Sequence, residues 1–338
     1  MEVERTEALK ITEQNWGDDT RPVVSVFNWS FNHVDFIRPS IESILEQKTT
    51  FPVEIIIHDD ASADGTQEII REYETKYPRL FRNIIHSENQ WSQGKSVMAP
   101  LIKAPRGKYI ALSHGDDCWA DPLKLQKQVD YLEAHPECVL SYHDASVIDS
   151  DGRILSESKL RPEQKTDYTQ DQLILNGACL TLTMCFRNVI HCYPDELVSC
   201  FNGDKILIVL LGEHGTGHYH SDITPALYRK HPGGVFSMQT EAYKLEQNAY
   251  TRRQLARYFK RTGKSRFEIQ FAEQLLGNLW QLYFLFHREA QRRKARGLCI
   301  PILTASLRHF GLRRFLHQCY RFIRMEIYFL KPRRHDDK

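Results

Sequence analysis

The chain has 338 residues, of which 41% are hydrophobic and 26% are charged, and its formal net charge is +2. That length and apolar content suffice for one large domain or two modest domains with a buried core. No apolar run approaches the roughly 18 residues of a membrane-spanning helix, and the first five residues do not have the form of a signal peptide, so we expect neither feature.

Charge and cysteine content indicate the kind of protein and its surroundings. Residues 251–338 are strongly basic, whereas the preceding residues carry an excess of acids, so the two parts are expected to face different partners. The eight cysteines include no Cys-x-x-Cys pair and follow no regular spacing. In a chain of this length, that pattern predicts reduced thiols in a cytoplasmic protein rather than a disulfide framework or a zinc site.

The predicted elements alternate between strands and helices. After a polar lead-in at residues 1–20, strands are predicted at 22–27, 53–57, 81–86, 108–112 and 138–148, and a hairpin turn at 149–152. The helix after the fourth strand is predicted to begin with Asp121 as N-cap and Pro122 as its first residue. This alternation predicts an α/β fold with a largely parallel sheet that binds ligands beyond the carboxyl ends of its strands.

Two pairs of aspartates lie where such ligands would bind. Asp59 and Asp60 follow the second strand, and Asp116 and Asp117 follow the fourth. Aspartate is depleted in strands and costly to bury without a partner, but it holds hard divalent cations well. The alternative is that each pair merely caps the turn or helix that follows it. The presence of both pairs favours a site for a metal-bound phosphate.

Several segments in sequence order resemble the family 2 glycosyltransferases, which are nucleotide-sugar-dependent enzymes of the GT-A fold. The resemblance covers residues 20–150 and resumes further along the chain. The residues that carry it are 30–32, 59–66, 107–110, 115–119, 121–126, 203–204 and 228–234. It implies a Rossmann-like, mostly parallel central sheet flanked by helices, with a basic helical extension at the C-terminus.

The resemblance also implies roles for individual residues. Asp60 would hydrogen-bond the base of the donor nucleotide, with Asp59 beside it, and Phe31 would lie against that base. Asp116 would hold a divalent cation, Mn²⁺ or Mg²⁺, together with the donor diphosphate, and Asp117 would support it. The implied partners are a nucleotide-sugar donor, with a UDP-sugar expected, and a glycan or lipid-linked acceptor.

Two later residues complete the implied site. Asp204 would be the catalytic base, and His231 would be a late ligand of the metal or the diphosphate. The alternatives are that Asp204 only belongs to a turn and that His231 is an ordinary hydrogen-bonded histidine. Lys95 is a further candidate for the diphosphate, against the alternative of a surface lysine. His214, His218 and His220 are candidates for a second metal site. The alternative is that they are solvated histidines of a loop.

The sequence departs from the family pattern in several places. His114 stands where many members have the first acid of an Asp-x-Asp motif, which removes one anionic ligand and favours manganese over magnesium. Trp29 replaces a usual proline, and Ala61 and Ala63 replace residues of the common Gly-Ser-Thr turn. The Gln-x-x-Arg-Trp motif of processive members is absent from the sequence, which favours transfer of a single sugar.

The C-terminal residues 303–330 combine recurring apolar positions with many arginines. A helix of this kind suits the surface of an anionic membrane, in which it would lie without crossing. One alternative is a helical cap whose apolar stripe packs on the catalytic domain. Nucleic-acid binding is a third reading of the arginines, but it leaves the acidic part unexplained, so no nucleic acid is expected.

The residues and the family resemblance together predict an inverting glycosyltransferase that is cytoplasmic, with a further expectation of a peripheral position at the inner face of the membrane. The resemblance alone implies a role in bacterial surface polysaccharide biosynthesis. Residues 21–240 would form the GT-A domain, divided into a nucleotide-sugar-binding half at 21–150 and an acceptor-side half at 151–240. Residues 241–338 would form the basic helical region. Two rivals remain: a sugar-phosphate nucleotidyltransferase of similar fold, and a non-catalytic carbohydrate-binding or scaffolding relative.

Overall fold

The computed structural model describes residues 7–17, 20–94, 98–233 and 239–330, with side chains described as far as residue 325. Lys95 and Gly234, both named in the sequence analysis, lie outside the described residues. The chain divides into two compact units, one formed by residues 1–193 and 203–234 and the other by residues 194–202 and 235–338. Among the described residues, no helix combines the length and the apolar character needed to cross a membrane.

The strands and helices of the first unit alternate along the chain. Its strands are β1 (Leu9–Lys10), β2 (Val24–Ser30), β3 (Lys48–Thr49), β4 (Val53–Asp59), β5 (Ile84–Ile85), β6 (Tyr109–His114), β7 (Cys138–Tyr142), β8 (Ala145–Ile148), β9 (Ile154–Ser156), β10 (Cys185–Arg187), β11 (Thr216–Tyr219) and β12 (Ala226–Arg229). Its helices are α1 (Ile37–Leu45), α2 (Thr66–Lys76), α3 (Met98–Lys103), α4 (Lys124–Ala134), α5 (Gln170–Asn176) and α6 (Gly203–Gly212).

A seven-stranded sheet in the order β11-β7-β10-β6-β2-β4-β5 forms the centre of this unit. Strand β2 is parallel to both of its neighbours, β4 and β6, and only β10 runs antiparallel to the strands beside it. The predicted α/β fold with a mostly parallel sheet is therefore confirmed. A smaller sheet in the order β12-β8-β9 and the pair β1–β3 complete the strands of the described residues.

Helix α1 illustrates why the layers pack as they do. Its apolar residues Ile37, Ile41, Ile44 and Leu45 recur at helical spacing and are all buried. They pack with buried residues of β2 and β4 in one core. Such burial is expected for parallel strands, which are covered on both faces. Periodicity in the sequence was sufficient to predict this layer.

Three predicted boundaries are wrong, and each error has a local polar cause. The strand predicted at 138–148 is two strands in different sheets, because the Asp144 carboxylate accepts the N–H groups of Ala145 and Leu160 and turns the chain. The strand predicted at 81–86 is reduced to β5, since the Asn83 side chain takes the N–H of Ile57.

The predicted start of the helix after β6 is also wrong. Helix α4 begins at Lys124 rather than at Pro122. The carboxylate of Asp121 accepts the Leu123 N–H at 2.8 Å, but it also binds the Lys127 ammonium and the Thr224 N–H. Asp121 therefore joins the start of the helix to a distant loop, which delays the first helical turn.

The second unit is helical, as the sequence predicts for the C-terminal region. Its long helices are α7 (Glu241–Arg261), α8 (Ser265–Arg288), α9 (Arg292–Gly297) and α10 (Cys299–Leu330). Helix α10 is interrupted at Gly311, whose φ of 76° lies in a region that residues with a side chain rarely adopt. The core of this unit is aromatic, with the Trp280 ring stacked on Phe322 at a centroid distance of 4.6 Å.

Candidate active site

The carboxyl ends of three adjacent parallel strands form the edge where the aspartate pairs lie. Ser30 of β2 is in register with Asp59 of β4, and Trp29 of β2 is in register with His114 of β6. The loops that carry Asp60 and Asp116 therefore leave the sheet on either side of β2, at the same edge. This arrangement is the one that the strand–helix alternation predicted.

The loops after β2 and β4 are joined by hydrogen bonds, and each contains a residue with a strained backbone conformation. Asn32 and Ala61 have positive φ angles of 53° and 64°. Residues other than glycine adopt this backbone conformation at a cost of about 1–2 kcal/mol. The Asn32 N–H donates to the Ser62 hydroxyl, and the Asn32 side-chain oxygen accepts the Ala63 N–H. Such strain persists only where surrounding contacts hold it, and it is concentrated at functional sites.

Asp59 and Asp60 have different environments although they are neighbours. Asp59 is fully buried, and its carboxylate accepts hydrogen bonds from the backbone and hydroxyl of Ser62 and from the Gln67 amide. These contacts fix the turn that presents Asp60. The two Asp60 oxygens accept the N–H groups of Gln90 and Trp91, at 2.6 and 3.1 Å. Asp60 thus joins the end of β4 to the loop that follows β5.

Two large aromatic side chains are exposed near this edge. Phe31 directly follows β2 and is 42% exposed, and Trp91, whose N–H binds Asp60, is 41% exposed. Large apolar surfaces that remain accessible beside a buried carboxylate suit a flat heterocycle such as a nucleotide base. The sequence predicted Phe31 in this role but not Trp91.

Asp116 is grouped with two histidines. One Asp116 oxygen lies 3.0 Å from His231 Nε2 and 3.9 Å from His33 Nε2. Burial favours the protonated acid, but the His231 hydrogen bond and the positive potentials of His33 and His114 outweigh it and hold the pKa of Asp116 at about 2. Asp116 is therefore ionised at neutral pH. Burial is the main cause that lowers the pKa of His33, which is accordingly neutral.

Asp117 and His114 form a second, more buried pair. The Asp117 carboxylate accepts the Arg229 N–H at 2.9 Å and lies 3.5 Å from His114 Nδ1. Burial and the charge of Asp116 raise the pKa of Asp117. Burial disfavours the charged form of His114, but its contact with Asp117 and the charges of Asp116 and Asp204 raise the pKa of the imidazole overall. His114 therefore places an imidazole with a raised pKa where the family pattern often has an acid.

Arg229 ties this motif to the smaller sheet. Its guanidinium donates to the carbonyl oxygens of Asp116, Asp149 and Ser150, each at 3.1 Å. The backbone of Cys118 exchanges two hydrogen bonds with Leu227 of β12. The loop after β6 and the strand that leads to His231 consequently form one rigid assembly.

Asp204 lies in the first turn of α6 and is exposed. One of its oxygens accepts the Lys205 N–H at 2.7 Å. Its charge is among the causes that raise the pKa of His114. An exposed carboxylate that faces bound substrate has the freedom to accept a proton from it.

Among the described residues, Asp116, His33 and His231 each bring one atom of a metal-ligating type to within 4.8 Å of the others. An ionised carboxylate and a neutral imidazole are the protonation states that a metal requires. A donor set of one carboxylate and two imidazoles suits Mn²⁺ better than Mg²⁺, which prefers oxygen ligands alone. The residues present therefore fit a divalent cation.

The histidines near residue 218 have other contacts. The His218 ring stacks on Tyr131 at a centroid distance of 3.5 Å, and its Nδ1 lies 2.9 Å from an Asp167 oxygen. His220 Nδ1 pairs with Asp222 at 3.0 Å. These histidines pack against an aromatic ring and pair with separate acids, which supports a structural role.

His33 is the principal residue that the sequence analysis missed. Its position three residues after the central strand was a usable signal, because the carboxyl end of that strand is where ligands bind in such sheets. The pairing of Trp91 with Asp60 had no comparable signal, since it depends on the path of a long loop.

Comparisons with known proteins identify the family of this chain. The sequence profile of Glycosyl transferase family 2 matches residues 25–193. The putative teichuronic acid biosynthesis glycosyltransferase TuaG of Bacillus subtilis is 31% identical over 170 residues, which are 50% of this chain and 62% of that protein. The Escherichia coli UDP-Glc:alpha-D-GlcNAc-diphosphoundecaprenol beta-1,3-glucosyltransferase WfaP is 27% identical over 217 residues, 63% of this chain and 79% of that protein.

Two further comparisons concern length and fold. Uncharacterized mycobacterial relatives are 36% identical over 216 residues, and the chain matches 60% of their length. The solved structure of Staphylococcus aureus TarS 1–349 with UDP is 16% identical, with a TM-score of 0.49 over 93% of this chain and 94% of that one. The profile match covers half of the sequence, from β2 to the residues beyond β10. The chain therefore belongs to glycosyl transferase family 2, and its first unit has a mostly parallel central sheet flanked by helices.

Proposed function

We propose that this protein transfers a single sugar from a nucleoside diphosphate sugar to a glycan or lipid-linked acceptor, with inversion at the anomeric carbon. The observation that carries the proposal is the shared edge of β4, β2 and β6, where Asp60 and the Asp116 group flank the central strand. The names of TuaG and WfaP support a role in bacterial surface polysaccharide biosynthesis. WfaP also supports a UDP-sugar donor and a lipid-diphosphate acceptor.

The donor would bind along this edge. Phe31 would contact the base and Asp60 would accept a hydrogen bond from it, while Asp59 would hold the turn that positions Asp60. Asp116, His231 and His33 would hold the divalent cation, and Asp117 would fix the loop through Arg229. When bound, the cation would supply positive charge against the diphosphate.

The acceptor would be activated from the opposite side. A sugar hydroxyl is a poor nucleophile until a base takes its proton, and Asp204 would be that base. The new bond to the anomeric carbon would form as the bond to the diphosphate oxygen breaks, and the nucleoside diphosphate would leave with the electron pair. No covalent intermediate with the protein is needed, so the anomeric configuration inverts.

An assay of donor turnover tests the proposal. The full chain would be incubated with UDP- and GDP-sugars with and without Mn²⁺, and nucleoside diphosphate release would be measured. We expect metal-dependent release, and an anomeric configuration in the product opposite to that of the donor by NMR. Pyrophosphate release from a nucleoside triphosphate and a sugar 1-phosphate would instead establish the nucleotidyltransferase. Donor binding without turnover would establish the non-catalytic relative.

Helix α10 supports the further proposal of an anionic membrane as partner. After Gly311, one face of the helix packs on α8 through Phe322 and Gln318, and Gln318 accepts the Trp280 N–H. A second face is apolar and exposed: Leu312, Leu316, Tyr320 and Ile323 are each 56–64% exposed. Exposed arginines, among them Arg313 and Arg324, adjoin it. An apolar face bordered by cations is the pattern of a helix that lies in an anionic bilayer surface.

Vesicle binding tests this part of the proposal. The double variant Leu312→Glu/Leu316→Glu should lower affinity for phosphatidylglycerol vesicles at least tenfold, because two apolar side chains worth roughly 1.5–3 kcal/mol each on burial become charged. The matched control is Ile154→Glu/Leu155→Glu on the exposed strand β9, which should bind as the unmodified chain does. Equal binding by the α10 variant, or a dimer that this variant dissociates, would contradict a lipid partner.

A further inference from the structure

Lys159 is a half-buried cation without an acidic partner in the described part of the chain. Its ammonium lies 3.5 Å from the centroid of the Tyr228 ring. Other lysines near the same sheet are neutralised: Lys165 pairs with Asp144 at 2.8 Å, and Lys127 pairs with Asp121 at 2.9 Å. The aromatic face attracts the ammonium but leaves its positive charge without a neutralising anion.

The loop that carries Lys159 is held in place by several hydrogen bonds. The backbone N–H of Lys159 donates to the Ala145 carbonyl at 2.7 Å. The Asp144 carboxylate accepts the N–H groups of Lys159 and Leu160 and the Ser158 hydroxyl. These hydrogen bonds fix the backbone of Lys159 beside Ala145, the first residue of β8.

Tyr228 connects this lysine to the candidate active site. It lies in β12 immediately before Arg229, whose N–H binds Asp117. Burial is the main cause that raises the pKa of Tyr228 to about 12, and the charges of Asp117 and Asp116 act in the same direction. Burial and the neighbouring charge of Lys230 lower the pKa of Lys159, while Asp117 opposes them. Lys159 is therefore linked to Asp117 of the loop after β6 through Tyr228 and its neighbour Arg229.

We propose that Lys159 binds a phosphate group of a substrate at the active site. The inference rests on the proposed function and adds a binding residue to it. A compact ammonium on a fixed backbone recognises a phosphate as a point charge, whereas the guanidinium of Arg229 is already occupied by three carbonyl oxygens. The phosphate belongs either to the donor diphosphate or to the diphosphate of a lipid-linked acceptor.

Calorimetric titration of the full chain with UDP and with uridine, in the presence of Mn²⁺, tests the donor source; GDP and guanosine serve as the second probe pair. Lys159→Gln should weaken nucleoside diphosphate binding about tenfold or more, as expected for loss of a hydrogen bond to a charged group, and leave nucleoside binding unchanged. Lys159→Arg should restore most of the loss, because it keeps the charge. Thermal unfolding would check that each variant is folded.

A second experiment tests whether the bound phosphate belongs to the lipid-linked acceptor. If nucleotide binding by Lys159→Gln is normal, KM for a short-chain prenyl diphosphate sugar should rise about tenfold. The matched control is Lys108→Gln: Lys108 also lies over a tyrosine ring, but it pairs with Glu133 and precedes β6 at the opposite edge of the sheet. The Lys108→Gln variant should change neither the affinity for nucleoside diphosphate nor the KM for the prenyl diphosphate sugar.

Unchanged binding and unchanged KM in Lys159→Gln would overturn the inference and leave the proposed function intact. A wild-type chain that binds no nucleoside diphosphate would remove the proposed function, and this inference with it.

Discussion

Asp116→Asn is expected to lower turnover roughly a thousandfold or more. The substitution keeps the shape of the side chain but removes the charge that His231 Nε2 contacts at 3.0 Å and that the divalent cation would need. Metal stabilisation of a transition state is worth several kcal/mol, and about 1.4 kcal/mol corresponds to a factor of ten in rate. Nucleoside diphosphate release measures the loss, and Mn²⁺-dependent UDP binding should weaken in parallel.

The control for this prediction is Asp151→Asn. Asp151 is exposed in the turn between β8 and β9 and pairs only with the exposed Arg153 among the ion pairs of the described residues. It should retain full turnover. Near-normal activity of Asp116→Asn, with thermal stability preserved, would show that the carboxylate has no part in holding metal or diphosphate.

Asp204→Asn should separate chemistry from donor binding. We expect UDP affinity to stay unchanged and kcat to fall by about 10²–10⁴, the range for loss of a positioned general base. The asparagine can still accept the Lys205 N–H through its amide oxygen, so the start of α6 should keep its geometry. Asp204→Glu should recover part of the rate, because it restores a base at a slightly displaced position.

The matched control for Asp204 is Asp195→Asn, an exposed aspartate in the first turn of the short 3₁₀ helix Asp195–Leu197. It should leave kcat unchanged. A defect of Asp204→Asn that appears in donor affinity alone, with kcat normal, would assign the residue to donor binding and leave the base unidentified.

The features that the sequence predicted are those set by local patterns. Helical spacing placed Ile37, Ile41 and Ile44 in the core, and strand-end position placed Asp60 and Asp116 at one edge. The family resemblance added roles that periodicity alone does not carry. Those roles remain proposals, because only activity and binding measurements test them.

The features that could not be predicted depend on long-range polar contacts. Arg229 looks like any basic strand residue in the sequence, yet it holds three carbonyl oxygens from two loops. Asp144 divides an apolar run into two strands because its carboxylate captures N–H groups on both sides of a loop. Lys159 became a candidate binding residue only from the structure, because the fold places it beside Tyr228 rather than beside an acid.

The antiparallel strand β10 has a consequence for how the chain reaches its final form during synthesis. It lies between β6 and β7, although it follows both in the sequence by more than forty residues. A nascent polypeptide that stops at residue 150 therefore holds β6, β2, β4 and β5 with an open edge at β6, while β7 still lacks both of its neighbours, β10 and β11. Strand β6 gains its second neighbour only after the ribosome has released Cys185–Arg187, so the sheet begun by residues 21–150 is completed by a later part of the chain.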